Sequence, residues 1–331
     1  MEKIFPVLGY DIGGTKIAVS LADSNGKILG SARLDNKDTN PDEVLPQLVS
    51  EAKKMMSEAG IKQEDLRAIG IDAPAPMDIE KGLILNPPNN PTWINVPIRD
   101  YLADAFKTEA FLENDANAGA LAEWMFGAGK GAKDMIYLTM STGIGGGIIA
   151  NGHLLHGRGL IAGELGHTVI DVEGPVCNCG MKGCYEAFCG GRAVAQRLQR
   201  ELADQPNHPI VKHAGGKVED IDYLAFENAV RDGNGYAMGL WEEIAKRNAQ
   251  AIGMFINIFN PEKIVLGTIA KAAGDLFMDP LVQHLPLYCW KQNLDVCEVV
   301  PCELGRDIGN YAGVCTALNC LYECGDFDLP K

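Results

Sequence analysis

Asp11-Ile12-Gly13-Gly14-Thr15-Lys16 joins two apolar runs, Ile4 to Tyr10 and Ile17 to Leu21, and reads as the turn of a strand hairpin. Its glycines let backbone N–H groups approach an anion closely, while Thr15 offers a hydroxyl and Lys16 a positive charge. Asp11, at the end of the first strand, suits a hydrated Mg²⁺. The stretch is not GxxxxGK[ST], and with no helix after it, it is not a dinucleotide fingerprint. An ordinary hairpin turn looks different, and Asn25-Gly26 supplies one for comparison. The plan then recurs. Met135 to Met140 is an apolar run that leads into Ser141-Thr142-Gly143-Ile144-Gly145-Gly146-Gly147 and a further strand, Ile148-Ile149-Ala150.

Two such turns facing each other across a cleft would grip a polyphosphate from both sides. The duplicated plan resembles the actin-like ATPase fold of phosphotransferases and predicts an α/β chain with two α/β domains around a cleft. The expected division is a smaller domain over 1–113, joined by a returning C-terminal helix over 308–331, and a larger domain over 114–307. The larger one carries a distinctive loop over 164–186.

That loop contains Cys177-x-Cys179-x4-Cys184, three thiols within eight residues, with Gly180 and Gly183 letting the backbone fold back. His167 supplies a fourth ligand. One imidazole and three thiolates make a tetrahedral zinc set with no open position for a catalytic water, so the metal would be structural. It would hold Glu164 and Glu186, at the two ends of the loop, at a fixed separation. The alternative is a reduced, glycine-rich loop with His167 unrelated to it.

The chain has 331 residues, enough for two domains with cores of their own. Its formal charge of −15, from 44 acids against 29 Lys and Arg, argues against nucleic acid or an anionic membrane as partner. The N-terminus lacks signal-peptide architecture and no apolar run approaches a membrane span, so a cytoplasmic protein is expected. Ten cysteines in a chain this long are too few for a disulfide scaffold. Cys189, Cys289, Cys297, Cys302, Cys315, Cys320 and Cys324 read as small buried hydrophobes in a reducing compartment.

The remaining pattern supplies helices and strands around these features. Glu43 to Ala59 is an amphipathic helix ended by Gly60, with Met55 and Met56 as core filling. Leu66 to Ile71 is a buried strand leading into Asp72-Ala-Pro-Ala-Pro76. Asn86 to Trp93 is a proline-fixed rim from which Asn89 or Asn90 can offer amide hydrogen bonds. Ala110 to Glu113 is a strand ending at Asn114-Asp115-Ala-Asn117, where a helix begins. Asp115 there suits either a helix N-cap or a general base that orients a hydroxyl. Gly191 to Ala203 is a helix, Asp204 to Lys217 a polar exposed excursion, and Tyr236 to Phe259 a long helix with Met238, Trp241, Ile244, Ile252 and Phe255 inward. Lys263 to Gly267 is a buried strand, and Gly309 to Tyr322 a closing helix.

Asp11-Ile-Gly-Gly-Thr-Lys16, Glu113-Asn-Asp-Ala-Asn-Ala118, Ser141-Thr-Gly-Ile-Gly-Gly-Gly147, Gly163-Glu-Leu-Gly-His167 and Cys177-Asn-Cys-Gly-Met-Lys-Gly-Cys184 together resemble the ROK (repressor, open reading frame, kinase) family. The resemblance spans nearly the whole chain. The first phosphate strand begins almost at Met1, which leaves no room for the helix-turn-helix domain of the family's repressors and favours its kinases. The resemblance implies that Asp115 is the base that takes a proton from a sugar hydroxyl as it attacks the γ-phosphoryl of ATP. Asn89, Asn114, Glu164, His167 and Glu186 would bind the other hydroxyls, His167 using one ring nitrogen for zinc and the other for sugar. Phosphates would rest on Gly13, Gly14, Thr15, Thr142 and Gly143, with Lys16 alongside, Asp11 near Mg²⁺ and Gly267 on the adenine side. His167, Cys177, Cys179 and Cys184 would hold the structural Zn²⁺. Three positions depart from the family pattern: Gly267-Thr268 replaces a Gly-Gly, Ala75 replaces the glycine of a Pro-Gly-Pro turn, and Asp307-Ile-Gly-Asn-Tyr-Ala-Gly313 is a loose match.

The implied activity is phosphorylation of an aldohexose, most simply glucose at its 6-hydroxyl, by a homodimer or homotetramer. The rim Pro88 to Trp93 and the set Glu164, His167 and Glu186 look more like the family's glucokinases than its fructokinases. N-acetylmannosamine, N-acetylglucosamine, fructose and allose are the rival acceptors. A silent sugar sensor is the rival class, and a zinc hydrolase is disfavoured by the filled ligand set.

Overall fold

The computed structural model describes residues 4–36, 39–88 and 90–329. Contacts divide the chain into two compact units, one of residues 1–132, 147–162 and 303–331, the other of 133–146 and 163–302.

The first unit is built on a five-stranded sheet in the order β3-β2-β1-β4-β7. Strands β1 (Pro6–Ile12), β2 (Lys16–Asp23) and β3 (Ile28–Asp35) form an antiparallel meander, while β4 (Ala68–Ala73) and β7 (Ala110–Asn114) join in parallel. A short ribbon of β5 (Met77–Asp78) and β6 (Leu83–Ile84) lies between them in sequence. Side chains alternate along a strand, so β1 sends Leu8, Tyr10 and Ile12 to one face, where they meet α1 (Pro41–Glu58) and α2 (Ile98–Phe106). Met55 and Met56 are buried in this core, as the helical spacing requires.

Gly9, Asp11, Gly70 and Asp72 point to the opposite face, towards α12 (Ile308–Glu323). The helix lies directly on the sheet here. A Cβ on Gly70 would stand 1.9 Å from Gly313 O, and one on Gly9 2.4 Å from Val314 N. Helix α3 (Asp115–Phe126) packs beside α12. Buried Glu123 on α3 accepts hydrogen bonds from Ala128 N, Glu303 N and Leu304 N at 2.9, 3.0 and 2.9 Å.

In the second unit β8 (Met135–Met140) pairs in parallel with β11 (Lys263–Leu266), and β11 with β12 (Glu298–Pro301). Strand β8 also forms a hairpin with β9 (Ile144–Ala150), and β10 (His153–Leu154) lies antiparallel to β9, with β10 and the later part of β9 falling in the 147–162 stretch of the first unit. A hairpin, a third antiparallel strand and two parallel additions repeat the plan of the first sheet. Gly145, Gly146 and Gly147 belong to β9 rather than to the turn, which is confined to Ser141, Thr142 and Gly143.

Helices α4 (Tyr185–Cys189), α5 (Gly191–Glu201), α6 (Pro209–His213), α7 (Tyr223–Arg231), α8 (Gly235–Phe259), α9 (Ile269–Ala273), α10 (Asp275–His284) and α11 (Lys291–Leu294) complete this unit. Asn234 caps α8 at its start, and Asn260 ends it in a left-handed conformation before Pro261. Met238 is exposed on α8, because its neighbours Ala237 and Trp241 take the inward positions. The polar excursion contains α6, whose Ile210 and Val211 are buried. Cys324 is exposed and Cys297 and Cys320 are half-buried, so only Cys189, Cys289, Cys302 and Cys315 are the buried hydrophobes expected of all seven. No helix among the described residues is long and apolar enough to cross a membrane.

Candidate active site

In the first unit the hairpin turn between β1 and β2 carries Gly13, Gly14, Thr15 and Lys16, with Thr15 and Lys16 exposed. Asn36 ties the turn down: its amide donates to Gly13 O at 2.7 Å, and its N–H to Thr15 O at 2.8 Å. Asn90 is buried and turns its amide towards the same Gly13 O at 3.5 Å. Asn89 lies outside the described residues.

Asp11 and Asp72 are register partners on the parallel strands β1 and β4, and their carboxyls are close enough to act on each other. Burial lifts Asp72 well above the usual carboxylate range, and the charges of Asp11, Asp115 and Glu113 reinforce the shift. Burial also pushes Asp11 up to about 6, against the lowering effects of Asp72 and the Arg33 charge. Of the two, Asp72 is the more deeply buried and is held further above the usual carboxylate range.

The elbow from β7 to α3 decides the role open to Asp115. Asn114 is the N-cap: its Oδ1 accepts from Ala116 N at 2.9 Å and Asn117 N at 3.4 Å. Asn114 is thus the cap residue, and Asp115 stands exposed at the first helical position, its Oδ1 also accepting the Ala116 N–H at 2.8 Å. It is close enough to Asp11 for the two charges to act on each other. Glu113, one residue before the cap, is buried and uses both oxygens. Oε1 accepts from Asn114 N and Asn117 Nδ2, each at 2.9 Å, and Oε2 lies 2.6 Å from His156 Nε2.

In the second unit Thr142 and Gly143 form the turn of the other hairpin. The start of α5 holds it through Gly191 N to Ser141 O and Arg192 N to Thr142 O, both 2.9 Å. From the other side Glu186 Oε2 accepts the Ile144 N–H at 2.7 Å, and Glu186 Oε1 lies 3.8 Å from Cys177 Sγ. Glu186 thus couples this turn to the cysteine loop.

His167, Cys177, Cys179 and Cys184 bring their ligand atoms within 4.8 Å of one another. Cys177 Sγ is 3.7 Å from His167 Nδ1, and Cys179 Sγ is 3.7 Å from Cys184 Sγ. A zinc tetrahedron with ordinary bond lengths has edges of about 3.6–3.8 Å, so the donor set fits the metal. The knuckle is closed by Cys177 N to Met181 O and Gly180 N to Cys177 O, at 2.8 and 2.9 Å. Gly183 has φ +80°, and a Cβ there would overlap Asp171 O at 1.7 Å. A hydrogen bond from the Met181 backbone lowers the Cys179 thiol pKa, favouring its thiolate. Helix α8 backs the loop through Tyr185 Oη to Asn248 Oδ1 at 2.6 Å, and through Arg247, which meets Asp171 Oδ2 at 3.0 Å and covers the Phe188 ring.

His167 turns Nε2 towards exposed Glu164, whose Oε2 is 3.9 Å away. Glu164, His167 and Glu186 therefore surround the knuckle. Gly267 follows the end of β11 and donates its N–H to Leu138 O at 2.8 Å. After it, Thr268 has φ +47° and ψ −91°. The chain keeps a backbone path suited to glycine with a β-branched residue in it.

Four contributors were not singled out from the sequence. Asp72 left a signal, an acid in an otherwise apolar strand. Asn36, Glu123 and His156 act through partners far away in the chain, and spacing does not show such pairs.

The sequence profile of the ROK family matches residues 7–316. A glucokinase from Thermotoga maritima is 36% identical over 303 residues, 92% of this chain and 94% of that protein. Among solved structures, a ROK hexokinase from Thermus thermophilus superimposes with a TM-score of 0.84 at 31% identity, covering 97% of this chain and all of that one. A ROK family glucokinase from Streptomyces griseus in complex with glucose and AMPPNP gives 0.73 at 28% identity, covering 95% and 99%.

Proposed function

Because the chain belongs to the ROK family, we propose that it is an ATP-dependent sugar kinase whose acceptor is the 6-hydroxyl of glucose. One observation carries the reading: Asn114 caps α3, and Asp115 stands exposed at the head of a buried helix, within electrostatic reach of Asp11. Similarity to glucokinases and a hexokinase, one of them bound to glucose and AMPPNP, supports it.

Phosphoryl transfer asks a protein mainly for positioning and charge neutralisation around an in-line attack. Asp115 takes the proton of the attacking hydroxyl. Backbone N–H groups of the two hairpin turns, at Gly13, Gly14 and Thr15 and at Thr142 and Gly143, bind the phosphates, with Lys16 alongside. Magnesium near Asp11 supplies further charge neutralisation when bound. Asn89, Asn114, Glu164, His167 and Glu186 orient the remaining hydroxyls. Gly267 borders the adenine. His167, Cys177, Cys179 and Cys184 would hold the zinc, which would supply a rigid crosslink between the ends of the loop.

The test is ADP release with MgATP against glucose, mannose, fructose, N-acetylglucosamine, N-acetylmannosamine and allose. Glucose should lead in kcat/KM. Another sugar in front would keep the kinase and change its acceptor. Sugar binding with no ADP from metal-replete protein would replace the kinase by a sugar sensor.

A further inference from the structure

The proposed base projects from an elbow that is held from behind. Glu113 Oε1 accepts from Asn114 N and Asn117 Nδ2, so this oxygen fixes both the cap residue and the first turn of α3 on either side of Asp115. The other oxygen is taken by His156 Nε2 at 2.6 Å. His156 comes from 147–162, a stretch remote in sequence from the elbow yet packed within the same unit. Its side chain is one-third exposed, whereas that of Glu113 is 7% exposed. A buried carboxylate needs a partner for each oxygen, and the imidazole is the partner that the elbow itself does not supply.

We infer that His156 is a positioning residue for phosphoryl transfer, acting through Glu113 to hold the Asn114–Asp115 elbow in its reactive geometry. The inference rests on the kinase reading, with Asp115 as base. His156 does not touch the reacting atoms. Without it, Glu113 is drawn towards solvent, the Asn114 N and Asn117 Nδ2 bonds slacken, and Asp115 turns with the first turn of the helix. A misplacement of about 1 Å at such a group can cost up to about a hundredfold in rate.

The electrostatic surroundings define a second readout. His156 faces Glu113 on β7 and Glu323 on α12, while Glu113 also feels Asp72 on β4 and Cys320 on α12. The Glu113 hydrogen bond, helped by the charges of Glu113 and Glu323, outweighs burial and lifts His156 above the ordinary imidazole value. With the folded-state value raised, the charge-assisted bond is fully present below about pH 6.5 and is lost as pH rises through that higher value. It then falls back to a neutral hydrogen bond of roughly half the strength.

The experiment compares wild type, His156→Ala and His156→Gln by kcat, by glucose affinity from calorimetry, by unfolding midpoint and by the pH profile of kcat. Gln places an amide donor within reach of the same carboxylate but carries no charge. His156→Ala should lower kcat by about tenfold or more with glucose Kd changed less than about twofold, since the loss falls on the transition state alone. His156→Gln should recover most of that loss and lack the alkaline fall in kcat expected of wild type. If His156→Ala keeps wild-type kcat, or Ala and Gln are equally impaired, or only the unfolding midpoint moves, the inference is wrong. A wild type without sugar-dependent ADP release is a different result, which removes the kinase reading and this inference with it.

Discussion

Gly143→Ala tests the coupling between the second hairpin turn and the cysteine loop. A Cβ at position 143 would stand 2.4 Å from Glu186 Oε2, about 1 Å inside ordinary contact distance. Glu186 is the flexible member of the pair, so it moves, and in moving it releases the Ile144 N–H that it now accepts at 2.7 Å. A hydrogen bond to a charged acceptor is worth about 1.5–3 kcal/mol net. If that loss falls on the bound transition state, kcat/KM for ATP drops by about 10- to 100-fold, at 1.36 kcal/mol per tenfold. The assay is steady-state kinetics at saturating glucose, paired with unfolding midpoints for Gly143→Ala, Glu186→Ala and the double variant. With Glu186 already truncated, the new methyl has nothing to displace. Its destabilisation should then shrink by at least about 0.5 kcal/mol, the size of coupling expected between residues in contact. Equal destabilisation in both backgrounds, or ATP kinetics within twofold of wild type, would refute the reasoning.

Asp115→Asn should leave glucose Kd within a few-fold while kcat falls by about 10² or more, and near-normal turnover would remove Asp115 from the base role. Metal analysis of protein purified without added zinc should find about one equivalent per chain, and Cys179→Ser should lose it; a fully active, metal-free sample would end the crosslink argument. Glu123→Gln places an amide donor among the N–H groups of Ala128, Glu303 and Leu304, and should cost roughly 2–4 kcal/mol in chemical denaturation. Thr268→Gly should raise the unfolding midpoint by a few degrees, because releasing a β-branched residue from positive φ gains about 1–2 kcal/mol, more than the chain entropy glycine adds; a lowered midpoint would show that the Thr268 side chain is needed.

The fold was legible because its signals are local. Asp11 to Lys16 and Ser141 to Gly147 each lie between apolar runs, and the two sheets repeat the same plan. The cysteine loop could be read for the same reason: ligands and glycines sit within a few residues of one another, and the four donor groups converge. Choosing between cap and base at Asp115 required coordinates, since Asn114 and Asp115 are both good caps and only the backbone shows which one stands at the boundary. Gly145 to Gly147 were misread because glycine in a turn and glycine in a tightly packed strand look alike in sequence. In β9, a Cβ on Gly147 would come 2.5 Å from Ala120 Cβ. His156 and Glu113 are 43 residues apart, and neither predicts the other.

His167 has one more consequence, for the direction in which hydrogen bonds can run. Its Nδ1 faces Cys177 and its Nε2 faces Glu164. A metal on Nδ1 takes that lone pair and leaves the ring a single tautomer, with the hydrogen on Nε2. On the proposed reading this nitrogen can only donate, and Glu164, as a carboxylate, can only accept. A sugar oxygen opposite His167 must then accept, and one opposite Glu164 must donate. Fluorine in place of a hydroxyl should be tolerated at the first position and rejected at the second. Stripping the zinc would free the imidazole to tautomerise, and its first effect would be on which sugars bind, ahead of any effect on proton removal at Asp115.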